Sequence, residues 1–113
     1  MKILDLIYDV GMFERAPQDV QLCVGNYENG RLAIYLDSPM EDAPEVFERF
    51  ATATVNLIDE ECPSDEVWVK DWTENEGMSD FLVRNEVIEP TPTCNTQTGL
   101  VQANRYKLNK KFL

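Results

Sequence analysis

Histidine is absent from this chain, and basic residues are few. Without histidine the commonest general base is missing, and so are the Ser-His and Cys-His pairs of many hydrolases. This absence argues against a hydrolase, and the protein is predicted not to be an enzyme. Long apolar runs are missing too, since nothing approaches the roughly 20 apolar residues of a membrane helix. Residues 1–13 also lack the small-residue cleavage site of a secretory signal, so a cytosolic protein is expected.

The three cysteines, Cys23, Cys62 and Cys94, form no C-x-x-C pair or other zinc spacing. The D-x-[DN]-x-[DN]-G pattern of a calcium loop is missing as well. We therefore predict reduced thiols, and neither a metal nor a cofactor. Cys23 falls in the strand-like "VQLCV", where a small core residue is expected.

Net charge is the property that departs most from an average protein. The 113 residues include 10 bases and 21 acids, for a net charge of −11. Four of the bases lie in the last nine residues, whereas the range 41–76 holds twelve acids and two bases. A field of this sign repels nucleic acid and membrane surfaces and attracts basic partners. The predicted partner is therefore a basic protein, without direct contact to nucleic acid or membrane.

The length and the 43% hydrophobic content fit one domain over residues 1–113, with a basic tail at 109–113 that we allow to be flexible. The first thirteen residues space their apolar side chains as a short helix ending near Gly11 does, and an edge strand "KILDLIY" fits nearly as well. Further on, apolar residues alternate with polar or small ones on both sides of "ENG" in "DVQLCVGNYENGRLAIYLDS". This pattern predicts a β-hairpin.

Two more strands and a helix are predicted in the middle of the chain. The β-branched run "VFERFATATVNLID" predicts a third strand, and "VWVKDW" predicts a fourth with Trp68 and Trp72 on one face. Strands in this order suit a consecutive antiparallel meander. Thr73 followed by Glu76 is the pattern of a capping box that starts a helix over residues 74–85. The predicted buried stripe of this helix is Met78, Phe81 and Leu82.

One more strand is predicted over Leu100 to Leu108. The expected fold is therefore α+β, a curled antiparallel sheet of about five strands packed by one or two helices. The closing "NRYKLNKKFL" has two interpretations. We favour a strand and a tail that partly neutralise the acidic face over a contact with nucleic acid.

The acidic stretch at residues 59–76 is the candidate site. Its carboxylates suit a DNA-like array, a cation site or a solvated rim, and no pair of them is singled out for acid-base catalysis. Two tryptophans spaced i, i+4 on a strand are most often core residues, but an exposed one framed by charge would anchor an interface. The predicted partner-binding residues are Glu60, Glu61, Asp65, Glu66, Asp71, Trp72, Glu74 and Glu76.

Three segments, "DEVWVKDWTENEGM", "LVRNEVIEPT" and "GLVQANRYKL", resemble a family of small acidic proteins found on bacteriophages, plasmids and conjugative elements. In that family a strand ending in Lys-Asp-aromatic runs into an Asn-Glu-Gly-Met/Leu helix start, and a Gly-led strand ends the chain. The similarity covers residues 20–108 approximately. It implies a mobile-element accessory protein in the cytoplasm of a host bacterium and carries over no catalytic residue. "VGNYENG" and the acidity also resemble, more faintly, anti-restriction proteins that mimic DNA.

The predicted function is stoichiometric binding. Carboxylates of a counter-defence inhibitor, of the anti-CRISPR or anti-restriction type, would occupy the basic nucleic-acid channel of a host defence nuclease or effector. The alternative is a structural or regulatory interaction protein whose acidity serves solubility alone.

Overall fold

Seven strands and one short α-helix form the described part of the chain, residues 3–9 and 17–113 of a computed structural model. The strands are β1 (Ile3–Tyr8), β2 (Gln18–Asn26), β3 (Leu32–Pro39), β4 (Phe47–Thr52), β5 (Glu66–Val69), β6 (Cys94–Thr98) and β7 (Val101–Lys107). The helix is α1 (Met78–Arg84), and single turns of 3-10 helix lie at Thr73–Asn75 and Lys110–Phe112. The α+β class is confirmed, but two antiparallel sheets of four and three strands replace the single sheet of about five.

The first sheet is an antiparallel meander in the order β1-β2-β3-β4. Leu22 in β2 pairs with Leu4 on one side and with Leu36 on the other, so the three strands turn the same alternate positions toward the core. The prediction of an N-terminal helix is wrong for residues 3–8, where the alternative of an edge strand is correct. The rest of that prediction, at residues 1–2 and 10–13, lies outside the described residues.

The predicted β-hairpin is confirmed as β2 and β3. Its turn is closed by the backbone N–H of Tyr27, which donates to the Arg31 carbonyl at 2.8 Å. Gly30 takes a φ of +86° there, a conformation in which a residue without Cβ is favoured.

The meander ends at β4, because β5 pairs with β7 rather than with β4. The second sheet has the order β5-β7-β6, so the predicted strand at 100–108 is confirmed as β7. The segment after β4 contacts the second sheet through β5. Thr54 forms an isolated bridge with Val69, and the Val55 N–H donates to the Trp68 carbonyl at 2.9 Å. The sequence of β6, "CNTQT", contains no alternation of apolar and polar residues that would predict a strand.

One core cluster contains side chains from both sheets and from α1. The predicted stripe of α1 is confirmed, since its three members are fully buried. Tyr8 connects β1 to this helix through an edge-to-face contact with Phe81, with ring centroids 4.9 Å apart. Of the helices in the described ranges, none has the length and apolar character needed to cross a membrane.

Candidate functional site

Asp71 holds the start of α1, and the predicted capping box is wrong. The Asp71 carboxylate accepts hydrogen bonds from the backbone N–H groups of Gly77 at 2.6 Å, Met78 at 3.1 Å and Ser79 at 3.4 Å. Thr73 instead has a φ of +51°, and its hydroxyl donates to the Glu74 carboxylate, with the Trp72 carbonyl oxygen 2.8 Å away. The chain makes a 3-10 turn before the helix, so the helix begins four residues later than predicted. The Asp71 carboxylate is therefore engaged in hydrogen bonds within the fold.

Glu66 is also used by the fold. It is 6% exposed, and its carboxylate accepts from Arg105 Nε at 2.8 Å and from the Thr93 hydroxyl. A buried carboxylate is costly unless it is paired and hydrogen-bonded, and both conditions are met here. The pair confirms that one base of the C-terminal segment neutralises an acid of the 59–76 stretch. It leaves Glu66 little surface to offer a partner.

Glu74 is exposed and forms an ion pair with Lys70, whose Nζ lies 2.6 Å from the carboxylate. Hydrogen bonds from Lys70 and then from Thr73 lower the pKa of Glu74 to about 2. Its charge is therefore partly matched within the chain.

The other four predicted acids, Glu60, Glu61, Asp65 and Glu76, have no ion pair within the described ranges. Glu61 and Glu76 are exposed, whereas Glu60 and Asp65 are half-buried. The Glu60 carboxylate accepts from the Thr96 hydroxyl, which fixes it beside β6. The Glu61 carbonyl accepts from Trp68 Nε1 at 3.2 Å and from Arg105 at 3.0 Å, so its side chain projects from an anchored backbone.

The two tryptophans differ in accessibility. Trp68 is 3% exposed and lies under the Arg105 guanidinium, 5.5 Å from the ring centroid, so its predicted core role is confirmed. Trp72 lies beyond the end of β5 and is half-buried. It lines an open groove of about 610 Å³ together with Tyr27, Lys70 and Glu74. Trp72 is therefore the tryptophan that a partner can reach.

The cysteines occupy three different environments. Cys23 is buried in β2, as predicted. Cys62 is half-buried, and its thiol donates to the Glu66 carbonyl at 3.2 Å, while burial raises the pKa of the thiol. Cys94 is exposed at the start of β6. No group of three or more metal-binding side chains occurs within residues 3–9 and 17–113.

The 41–76 segment remains strongly negative in the folded chain. Of its twelve acids, Glu66 and Glu74 are the two that form ion pairs in the part of the chain that the structure describes. The segment's base Arg49 pairs outside it, with Asp37 at 2.6 Å. Such an arrangement suits the binding of cationic groups.

No family model, curated protein or solved structure matches this chain. The resemblance to small acidic proteins of mobile elements stays a prediction.

Proposed function

We propose that this protein is an accessory protein of a bacteriophage or another mobile element, and that it acts by stoichiometric binding in the host cytoplasm. It inhibits a host defence protein, in the manner of an anti-CRISPR or anti-restriction protein, by presenting carboxylates to a basic nucleic-acid channel. The observation that carries this proposal is that ten of the twelve acids at residues 41–76 have no ion pair within the described ranges.

The physical reason is competition for the same cations. Channels that bind nucleic acid contact phosphates through many Lys and Arg side chains, and binding there releases counterions and weakens as salt rises. Exposed carboxylates on an ordered backbone compete for these cations whatever the base sequence of the nucleic acid. Among the eight predicted residues, Glu60, Glu61, Asp65 and Glu76 supply this charge, and Trp72 supplies a partly accessible aromatic group.

The test is to immobilise the chain, capture host proteins at low salt, and elute with duplex DNA. We expect DNA to release a basic protein, because DNA and the acidic surface occupy the same channel. The triple variant Glu60→Lys, Glu61→Lys and Asp65→Lys should capture much less of it. A second triple variant, Glu28→Lys, Glu86→Lys and Glu89→Lys, makes the same change of charge at exposed positions outside the 41–76 segment and serves as the matched control.

Three results would contradict the proposal: a captured protein that DNA does not displace, equal capture by the parent and the first triple variant, or capture that high salt leaves unchanged. Equal capture by the parent and the first triple variant would favour the alternative in which the acidity serves solubility, because exposed charges contribute only about 0 to 1 kcal/mol to folding and can be reversed at little cost. The melting temperature of each variant shows whether it remains folded.

A further inference from the structure

Strand β1 is the terminal strand of the four-stranded sheet. In the part of the chain that the structure describes, β2 pairs with one side of β1 and no strand pairs with the other, which we call the β1 edge. Alternate backbone N–H and C=O groups of such a strand point away from its neighbour. Natural edge strands are usually blunted by proline, lysine or a bulge. The sequence of β1, "ILDLIY", contains none of these residues, and its one charge is Asp5.

Both faces of β1 have apolar area that an added strand would cover. On the outer face, Ile3 is 53% exposed and Ile7 is 59% exposed. On the core side, Leu4 and Leu6 pack against the core cluster but are only half-buried. A strand that paired with β1 would place alternate side chains beside each of these two sets.

The charge around this edge is negative. Asp5 and Asp19 are exposed and form no ion pair within residues 3–9 and 17–113, and Asp9 is bound to Arg84 at 3.0 Å. Asp19 lies directly opposite Ile7 in the register of β1 and β2. An open groove of about 700 Å³ crosses the sheet from β1 to β4, where these carboxylates, Ile7, Pro39 and Phe47 line it. Apolar and acidic groups therefore alternate on this surface.

We propose that the β1 edge binds an extended segment of a protein partner in which Lys or Arg alternates with apolar residues. The segment pairs with β1 as an added strand, places apolar side chains over Leu4 and Leu6, and places a cation beside Asp5. The inference rests on the proposed function for the basic character of the partner and adds how its chain docks. A second copy of this protein fits less well, because each copy carries a net charge of −11.

The probe is a fluorescein-labelled peptide of about eight residues that alternates Lys and Val, a length that spans one strand. Fluorescence anisotropy measures its affinity, and hydrogen exchange measures protection of the backbone amides of β1. We expect binding to slow exchange at residues 3–8. Asp5→Lys should weaken binding about five- to tenfold, because one cross-strand charge pair turns from attraction to repulsion. Glu89→Lys, the same charge change at an exposed position outside the 41–76 segment, should have little effect.

A version of the peptide that is N-methylated at alternate residues keeps its charge but loses backbone donors, so it should bind poorly. Equal binding of both peptides, or equal losses from Asp5→Lys and Glu89→Lys, would overturn the proposal in favour of diffuse electrostatic attraction. Protection of β1 that appears on raising the protein concentration without peptide would show that a second copy occupies the edge. The Glu60/Glu61/Asp65 triple variant separates the two proposals, because it should lose capture of the basic partner but keep peptide-induced protection of β1.

Discussion

Asp71 shows that a side chain seven residues upstream of the first helical residue can fix the start of a helix. Its carboxylate satisfies three backbone N–H groups at the N-terminus of α1, which otherwise lack partners there. We predict that Asp71→Ala lowers the free energy of unfolding by about 0.5 to 2 kcal/mol, the cost of a lost cap. Thr73→Ala should cost clearly less, because the Thr73 hydroxyl does not bond to the helix.

Urea denaturation of Asp71→Ala and Thr73→Ala shows which of the two residues caps α1. Asp71→Asn provides a further control, since it keeps an acceptor oxygen. Its free energy of unfolding should lie between those of the parent and Asp71→Ala. A larger loss for Thr73→Ala than for Asp71→Ala would restore the capping box that the sequence suggests.

Glu74 gives a prediction about pH. The hydrogen bond from Lys70 is the largest cause of its low pKa of about 2, against an ordinary value of 4.5. A carboxylate with a depressed pKa in the folded state stabilises that state above its unfolded pKa, and the contribution is lost as pH falls from about 4.5 toward 2. Lys70→Met should raise the pKa of Glu74 toward its ordinary value. Carboxyl-carbon NMR titration of both proteins checks this, and an unchanged pKa would contradict it.

At the scale of elements, the ion pair of Glu66 and Arg105 connects strands β5 and β7 of the second sheet. Glu66 begins β5, Arg105 lies within β7, and the Thr93 that also bonds to Glu66 lies immediately before β6. We predict that Arg105→Met lowers the free energy of unfolding by about 3 kcal/mol, because it leaves a buried carboxylate without its cation. The measurement is urea denaturation near neutral pH.

The double variant Glu66→Leu/Arg105→Met is the control for this pair. Removing both charges also removes the cost of the unpaired carboxylate, so the double variant should be more stable than Arg105→Met alone. If the two variants were equally stable, the loss would come from the contact of Arg105 with Trp68 rather than from the charge pair.

The elements that could be predicted are those whose signal is local. The hairpin of β2 and β3 follows from alternation around Gly30, and the buried stripe of α1 follows from its spacing. Strand β6 carries no apolar alternation, and the pairing of β5 with β7 joins residues about 40 apart in the chain, as Glu66 and Lys107 do. Short apolar runs such as "ILDLIY" fit helix and strand alike, so packing decides them.

In the candidate site, too, part of the arrangement follows from the sequence and part only from the fold. Composition predicts an acidic segment, but only the fold separates the acids that it uses, Glu66 and Asp71, from those that project outward. The sequence allows an edge strand at "KILDLIY", but the exposure of its isoleucines and the position of β1 at the end of the strand order are properties of the assembled sheet.

At the scale of the whole molecule, salt weakens two electrostatic effects that contribute to stability with opposite signs. Five ion pairs within the described ranges weaken as salt rises. Repulsion among unpaired carboxylates weakens too, and with a net charge of −11 this repulsion dominates. We predict that the free energy of unfolding, measured in urea, rises by more than about 0.5 kcal/mol when NaCl is raised from low concentration to about 0.5 M.

The Glu60/Glu61/Asp65 triple variant tests the cause of that rise. Each Lys adds two charges, so the net charge changes from −11 to −5 and the self-repulsion falls. The salt-dependent gain in stability should therefore be smaller in the variant than in the parent. A fall in stability with salt in the parent would mean that its ion pairs outweigh the repulsion. The unpaired carboxylates would then be too dispersed to create a strong field, and the acidic-surface proposal would lose its physical basis.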